Sequence, residues 1–350
     1  MPDYAYINTR IRSMEADLLS ERHLRELISF RELSGAVTYL KKTIYGIYFP
    51  EGLEESLIGK VDTALRTALS DLMHKMNTLF KGDSRVLIEV LLGRWDIFNI
   101  KTLLRGKLNN ISAQEVLSAT VPAGSLDEGM LREVYKQPSV QAMLDMLLTI
   151  GYSYIAPLTK IKYLHEGDLF RGEIALENAF FVNALRRLDA SGEKGINIAL
   201  AEDTIRMLID RYNLIAAVRM AEDGLRTDEA AGYFIEGGKR ITLSVYKRVT
   251  RGRDINECIS MIGNATLQRR WEGFSPHSRI TSPTLLVERW MDYEMLDHAV
   301  RLPREDPFHV GLAISHIWKK VNEVINLRII LHGIHYNLPQ VEIEELLIIL

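Results

Sequence analysis

Residues 94–112 read RWDIFNIKTLLRGKLNNIS. The chain says something close to this three times. The first copy carries Asp96, Phe98, Asn99 and Ile100, then Arg105 and Gly106; the second carries Asp210, Tyr212, Asn213, Leu214 and Arg219; the third carries Glu323, Asn326, Leu327, His332 and Gly333. The step from Asn99 to Asn213 is 114 residues and the step from Asn213 to Asn326 is 113. Each copy is succeeded by matching punctuation, Ile111-Ser112, Arg226-Thr227 and Leu338-Pro339, which suits the cap or first residue of a further helix.

Outward from this stretch the helical period persists. Residues 4–29 place apolar side chains at Ile7, Ile11, Met14, Leu18, Leu24 and Leu27, with a break at Ser20. A short helix is expected over Glu32–Tyr45, ended by Gly46. A long one runs from Leu57 to Phe80, where Val61, Ala64, Leu65, Ala68, Leu69, Leu72, Met73 and Met76 form one wide apolar stripe before Gly82 stops it. The motif helix then covers Arg85–Leu108, and Ser112 with Glu115 forms a capping-box pattern for the next. The second copy keeps the same template, with a short helix over Val140–Ile150, a long amphipathic one over Glu173–Leu188, and a motif helix over Asp203–Met220. In the third these become Asn256–Ile262, Leu285–Leu302 and Val310–Leu331, with Pro303–Pro307 breaking the chain between the last two. Two apolar runs, Tyr152–Pro157 and Ile241–Tyr246, read as extended.

A period of this length exceeds the units of about 20–50 residues that build solenoids and matches a small domain. The expected fold is therefore all-α, with three homologous helical modules, 1–125, 126–240 and 241–350. Three similar modules can reuse the same surfaces around a pseudo-threefold axis, leaving a central funnel.

The motif residues divide by helix face. The three-residue step puts Asp96 and Asn99 on one side, whereas Arg105, nine positions beyond Asp96, points roughly to the other. On the structural reading, Asp and Asn bond nearby backbone and Arg105 meets the helix C-terminus before Gly106. On the functional reading, Arg105, Arg219 and His332 present polar groups from the three modules to a shared partner. A second candidate surface is the run of six cations Lys239, Arg240, Lys247, Arg248, Arg251 and Arg253, a solvated linker or a rim that meets acidic side chains of another subunit.

Catalytic, cofactor and metal motifs are not found. Gly237-Gly238-Lys239 lacks the upstream glycine and following Ser or Thr of a phosphate loop, since Tyr233 and Arg240 hold those places. His332 and His335 straddle Gly333 without an HExxH pattern or cysteine cluster. A helical lyase or transferase would need clustered acids or a metal at recognisable spacing. The net charge of −3 over 350 residues argues against a dedicated nucleic-acid binder, and the lone Cys258 against a disulfide framework. No window has the uninterrupted apolar length of a membrane span, and the apolar end Leu346–Leu350 is expected to pack into the third module.

The opening YAYINTRIRSMEADLL, the segment from Leu40 to Tyr48 with Lys-Lys-Thr-Ile-Tyr-Gly, the RWDIFNIKTLLRGK stretch and the triplication together resemble the C-subunit family of V-type (A-type) ATPases and ATP synthases, related to the d subunit of the eukaryotic vacuolar enzyme. The resemblance covers essentially the whole chain, and the third copy departs most, with Glu323 for the aspartate and His332 for the arginine. It implies a cytoplasmic protein without an active site, peripheral to the cytoplasmic face of the membrane. It also implies a funnel that receives the central-stalk subunits D and F and rests on the membrane rotor ring of proteolipid subunits. The chain would then pass torque between ATP hydrolysis or synthesis and proton or sodium-ion transport. The alternative is a helical adaptor or scaffold unrelated to rotary motors.

Overall fold

The computed structural model describes residues 4–52, 56–159, 166–224, 227–275, 280–304 and 308–349, and among them it is helical with no strand. In chain order the helices are α1 (Tyr4–Glu15), α2 (Glu21–Ile28), α3 (Leu33–Leu40), α4 (Leu57–Leu79), α5 (Arg85–Leu108), α6 (Ala113–Ala119), α7 (Glu128–Lys136), α8 (Val140–Thr149), α9 (Ala156–Thr159) and α10 (Glu166–Asp189). They continue as α11 (Ile196–Glu222), α12 (Thr227–Ala230), α13 (Leu243–Val249), α14 (Ile255–Ser260), α15 (Ala265–Phe274), α16 (Pro283–Arg301), α17 (Gly311–His335) and α18 (Gln340–Leu346). The chain divides into two compact units. One holds Met1–Phe80, Arg270–Thr281 and Arg289–Leu350; the other holds Lys81–Arg269 and Ser282–Glu288.

The expected helix starts hold where capping chemistry marks them. The Ser20 break is a real N-cap, and His23 stands where a capping box has Glu, its Nδ1 accepting from the Ser20 amide at 3.1 Å. Ser112 Oγ accepts from the Glu115 amide at 3.2 Å and opens α6. Each motif helix ends in a left-handed residue, Asn110 (φ 54°), Gly224 (φ 65°) and Asn337 (φ 57°), the conformation that turns the chain out of a helix. Part of the stretch expected as one helix to Tyr45 is a separate 3₁₀ turn, Ile44–Tyr48. The two runs read as extended are corrected. Ser153–Ile155 is a 3₁₀ turn leading into α9, and Thr242 Oγ1 accepts from the Val245 amide at 3.3 Å, so α13 starts inside the apolar run that had been read as extended.

The motif helices are the centres of packing. In the first unit α17 is covered by α1, α2, α3, α4 and α18. It therefore buries side chains around its whole circumference, among them Leu312, Ile314, Ile317, Val324, Leu327 and Ile330. The stripe on α4 is the face laid against α17, with Val61, Ala64, Leu65 and Met73 wholly buried. Full burial of each such Leu, Ile or Val contributes about 1.5–3 kcal/mol. In the second unit α5 packs on α10, α11, α6, α7 and α8, while α11 packs on α10, α13 and α14.

The side of each motif helix that carries Asn fastens it to the segment downstream. Asn99 Nδ2 donates to the Val121 carbonyl at 2.7 Å and its Oδ1 accepts from the Val121 amide at 2.7 Å, 22 residues ahead. Asn213 does the same with Ile235 at 2.7 and 2.8 Å, again 22 residues ahead. Asn326 repeats it with Ile348 at 2.8 and 3.2 Å, at the same separation of 22, and Ile348 in the apolar C-terminal run is buried in the first unit. The acid one turn earlier holds the next stretch. Asp96 accepts from the amides of Ser125 and Leu126 at 2.9 Å each, and Asp210 from those of Arg240 and Ile241 at 2.8 and 2.9 Å. Gly124 and Gly238 lie so close over these two carboxylates that a Cβ would collide with them.

The carboxylate and a buried histidine respond to pH with opposite signs. Burial pushes the Asp96 carboxyl up to about 6, against the pull of the two amides. Burial and the Lys320 and Lys319 charges push the His316 imidazole down to about 4, and neither of its ring nitrogens has a hydrogen-bond partner among the described residues.

Replacing any one of Asn99, Asn213 or Asn326 by Ala leaves a buried amide and a buried carbonyl unpaired and is expected to cost roughly 2–6 kcal/mol in urea-unfolding free energy. For pH, His316 is neutral in the folded chain, so its contribution is whole above the ordinary histidine value and is lost as pH falls from about 6.5 to about 4. His316→Leu is expected to remove that acid-side loss. The Asp96 contribution runs the other way, gained as pH falls from about 6 through the ordinary range, so Asp96→Asn is expected to steepen the loss in urea midpoints monitored between those values.

Candidate partner-binding surface

With one side of each motif helix committed to fastening, the other side carries the charged candidates. In the second unit, Arg105 in the last turn of α5 does not reach its own helix end. Its Nε and Nη2 donate to the two carboxylate oxygens of Glu173 on α10 at 2.6 Å each, a bidentate pair that raises the guanidinium pKa. The carbonyl at that helix end is taken instead by Asn109 Nδ2, at 2.9 Å from the Arg105 oxygen. One turn earlier Lys101 pairs with Glu177, also on α10. The two glutamates are buried, whereas 59% of the Arg105 side chain remains exposed. The guanidinium therefore satisfies an acid inside the unit and still shows an open face.

Arg219, in the corresponding last turn of α11, is exposed, and its carbonyl accepts the capping amide of Asp223 at 2.9 Å. Earlier on that helix Arg211 donates to Glu288 at 2.9 Å. In the first unit His332 Nε2 sits 3.1 Å from both oxygens of Asp62 on α4, and Arg328 Nε lies 3.3 Å from the same carboxylate. Arg105 and His332 thus each join the last turn of a motif helix to an acid on the long amphipathic helix packed against it, with different residues in each case.

The six-cation run is partly spoken for. Lys239 pairs with Asp203, and the Arg240 amide, not its side chain, is held by Asp210. Arg248 Nε donates to the Met261 carbonyl at 3.3 Å, and the Arg253 amide donates to Glu257 at 2.9 Å. The side chains of Arg240, Arg248, Arg251 and Arg253 are exposed and that of Lys247 is half-buried, around the short helix α13.

Sequence reading passed over Lys101, Glu173, Glu177 and Asp62. A signal was present for three of them: Lys101 and Arg105 are four apart, as are Glu173 and Glu177, so two helices laid side by side bring both pairs into register. It also passed over a buried cluster in the first unit, where Tyr45 Oη donates to Glu323 Oε1 at 2.6 Å and Lys320 Nζ donates to Tyr45 Oη and Glu323 at 2.8 and 2.7 Å.

Among the described residues no group of three His, Cys, Asp or Glu side chains is placed to hold a metal ion, and no helix is long and apolar enough to cross a membrane. Cys258 is buried, and burial pushes its thiol up to about 11, the opposite of an activated nucleophile. An open groove of about 450 Å³ in the first unit is lined by Phe274, Tyr293 and Leu347 with Arg270 and Arg289. Both arginines are already engaged, Arg270 with Glu294 and Asp297 and Arg289 with the Leu346 carbonyl.

The chain is similar along its length to components of one class of assembly. It is 29% identical over 347 residues to the C subunit of the A-type ATP synthase of Methanocaldococcus jannaschii, covering 99% of this chain and 86% of that one. It is 27% identical over 352 residues to the C subunit of the A-type ATP synthase of Pyrococcus horikoshii, covering 98% and 90%. With the C subunit of the V-type ATP synthase of Thermus thermophilus it shares 26% over 345 residues, covering 98% of each. The family model described as ATP synthase (C/AC39) subunit matches residues 7–346, a span that takes in all three motif helices, and the chain belongs to that family.

Proposed function

We propose that this protein is a non-catalytic rotor component of a V/A-type ATP synthase, a socket that joins the central-stalk subunits D and F to the membrane rotor ring. It would work at the cytoplasmic face and carry torque between nucleotide chemistry and the transport of protons or sodium ions. The observation that carries this reading is the family match over residues 7–346, together with the C-subunit names of relatives aligned along nearly the whole chain.

The physical character of the chain supports it. A part that transmits torque must resist bending, and satisfied buried polar networks make packed helices rigid. Here every motif helix is tied by Asn to a segment 22 residues on. The three homologous modules 1–125, 126–240 and 241–350, as repeats along the sequence, and their funnel belong to the same proposal, supported by that recurring tie. The surfaces offered to partners are the last turns bearing Arg105, Arg219 and His332 and the basic run from Lys239 to Arg253, whose charge would set docking rate and register.

The test is an affinity pull-down of the tagged chain from its own membranes in mild detergent, with mass spectrometry of the copurifying proteins. Rotor-ring and stalk subunits are expected; a clean complex lacking both would overturn the reading in favour of an adaptor. Within that complex, Arg219→Glu is expected to weaken stalk binding several-fold while shifting unfolding free energy by no more than about 0.5 kcal/mol, the range for an exposed site. Arg105→Glu is expected to cost about 1–3 kcal/mol in stability as well, because it strips buried Glu173 of its charged partner. Neutralising the six cations of the basic run is expected to remove the salt dependence of association, measured by titrating binding against ionic strength.

A further inference from the structure

The acid of the third motif is served from the other end of the chain. Asp96 and Asp210 each accept amides from the stretch immediately downstream, 29–31 residues ahead. Glu323 accepts the amide of Leu19 instead, 304 residues back. The segment after Leu19 matches the segments after the other two amide donors. Leu126 leads into the N-cap Asp127 and α7, Ile241 into the N-cap Thr242 and α13, and Leu19 into the N-cap Ser20 and α2. A second short helix comes next in each case, α8, α14 and α3.

The register continues beyond these helices. Tyr152 stands beside Asp96 and helps to pull its carboxyl down, and Tyr45 Oη donates to Glu323 Oε1 at 2.6 Å. Twenty-six residues separate Leu126 from Tyr152, and twenty-six separate Leu19 from Tyr45. The long amphipathic helix that comes after each tyrosine lies on the motif helix, α10 on α5 and α4 on α17.

We infer that the packed repeat centred on α17 is split between the two ends of the chain, with residues 19–79 completing it. The Glu323 carboxylate is the latch that holds the N-terminal part in place. Lys320, itself 3% exposed, supplies the positive charge that lets a buried glutamate do this, a compensation that Asp96, set among backbone amides, does without, whereas Asp210 has the charge of Arg240 nearby as well as its amides. Two residues one turn apart on α17 then govern opposite ends of the sequence. Asn326 fastens the C-terminal segment at Ile348, and Glu323 fastens the N-terminal segment at Leu19.

Hydrogen exchange on the full-length chain, read by mass spectrometry of peptides, separates the two roles. In Glu323→Gln the side-chain carbonyl can keep Lys320 and Tyr45, while its amide turns a donor toward the Leu19 amide. Residues 17–28 are expected to exchange at least tenfold faster, with residues 340–349 unchanged. Asn326→Ala is expected to do the reverse, and Asp96→Asn to speed residues 124–136. Unchanged exchange in 17–28 for Glu323→Gln, or equal acceleration of both end segments by the two α17 variants, would overturn the inference. If Glu323→Gln does not fold, Tyr45→Phe, which removes one contact from the same carboxylate, is read on the same segments against the same two outcomes.

Discussion

A buried asparagine that closes two hydrogen bonds with one distant peptide unit is the joint on which the rest of this structure depends. Asn suits the task because its side chain carries a donor and an acceptor at the spacing of a backbone amide and carbonyl. Asn99, Asn213 and Asn326 therefore behave like a rung of secondary structure laid between a helix and an irregular segment. All three are at most 1% exposed, and the low dielectric around them makes each bond stronger and its loss more costly. At Asn99, with the segment downstream fixed, the short helices α7 and α8 have a defined starting point, and α10 after them is laid against α5.

The acid one turn earlier makes the same joint by other means, an anion held by backbone amides. It needs close approach, which is why Gly124 and Gly238 stand where a side chain would strike the carboxylate. The third joint is built from other parts. A longer acid, a buried lysine and a buried tyrosine hold a segment from the opposite end of the chain. The departure of Glu323 from the aspartate of the other copies thus coincides with a change in the segment that the acid must reach. The polar side chains at the helix ends form an outer layer of ties, bidentate at Arg105 and Glu173 and looser at His332 and Asp62.

Helix positions were legible because the information is local. Ser20, Ser112 and the apolar stripe of α4 each act within a few residues, and so did the three-residue step that puts Asp96 and Asn99 on one face. Their bonding to backbone was legible too, but not its reach, since Val121 and Leu126 lie beyond any helical period. Arg105 was read as serving its own helix end because Glu173 lies 68 residues away, and the matching four-residue spacings of the two pairs do not by themselves say that their helices are neighbours. The packing of α4 on α17 was invisible for the same reason. Thr242 shows local signals in conflict, its capping hydroxyl prevailing over the strand preference of its neighbours. Of the two glycines rejected as a phosphate loop, Gly238 lies over the Asp210 carboxylate and Gly237 takes φ 100° against Leu185 and Ile209.

The proposed role is tested most directly by reconstituting the rotary complex in sealed vesicles with and without this chain, and measuring nucleotide hydrolysis and ion uptake side by side. If the chain is the mechanical link, complexes lacking it hydrolyse ATP in the detached head but move no ions, and adding it back restores uptake. Ion uptake that persists at full rate per ATP hydrolysed in its absence would contradict the account.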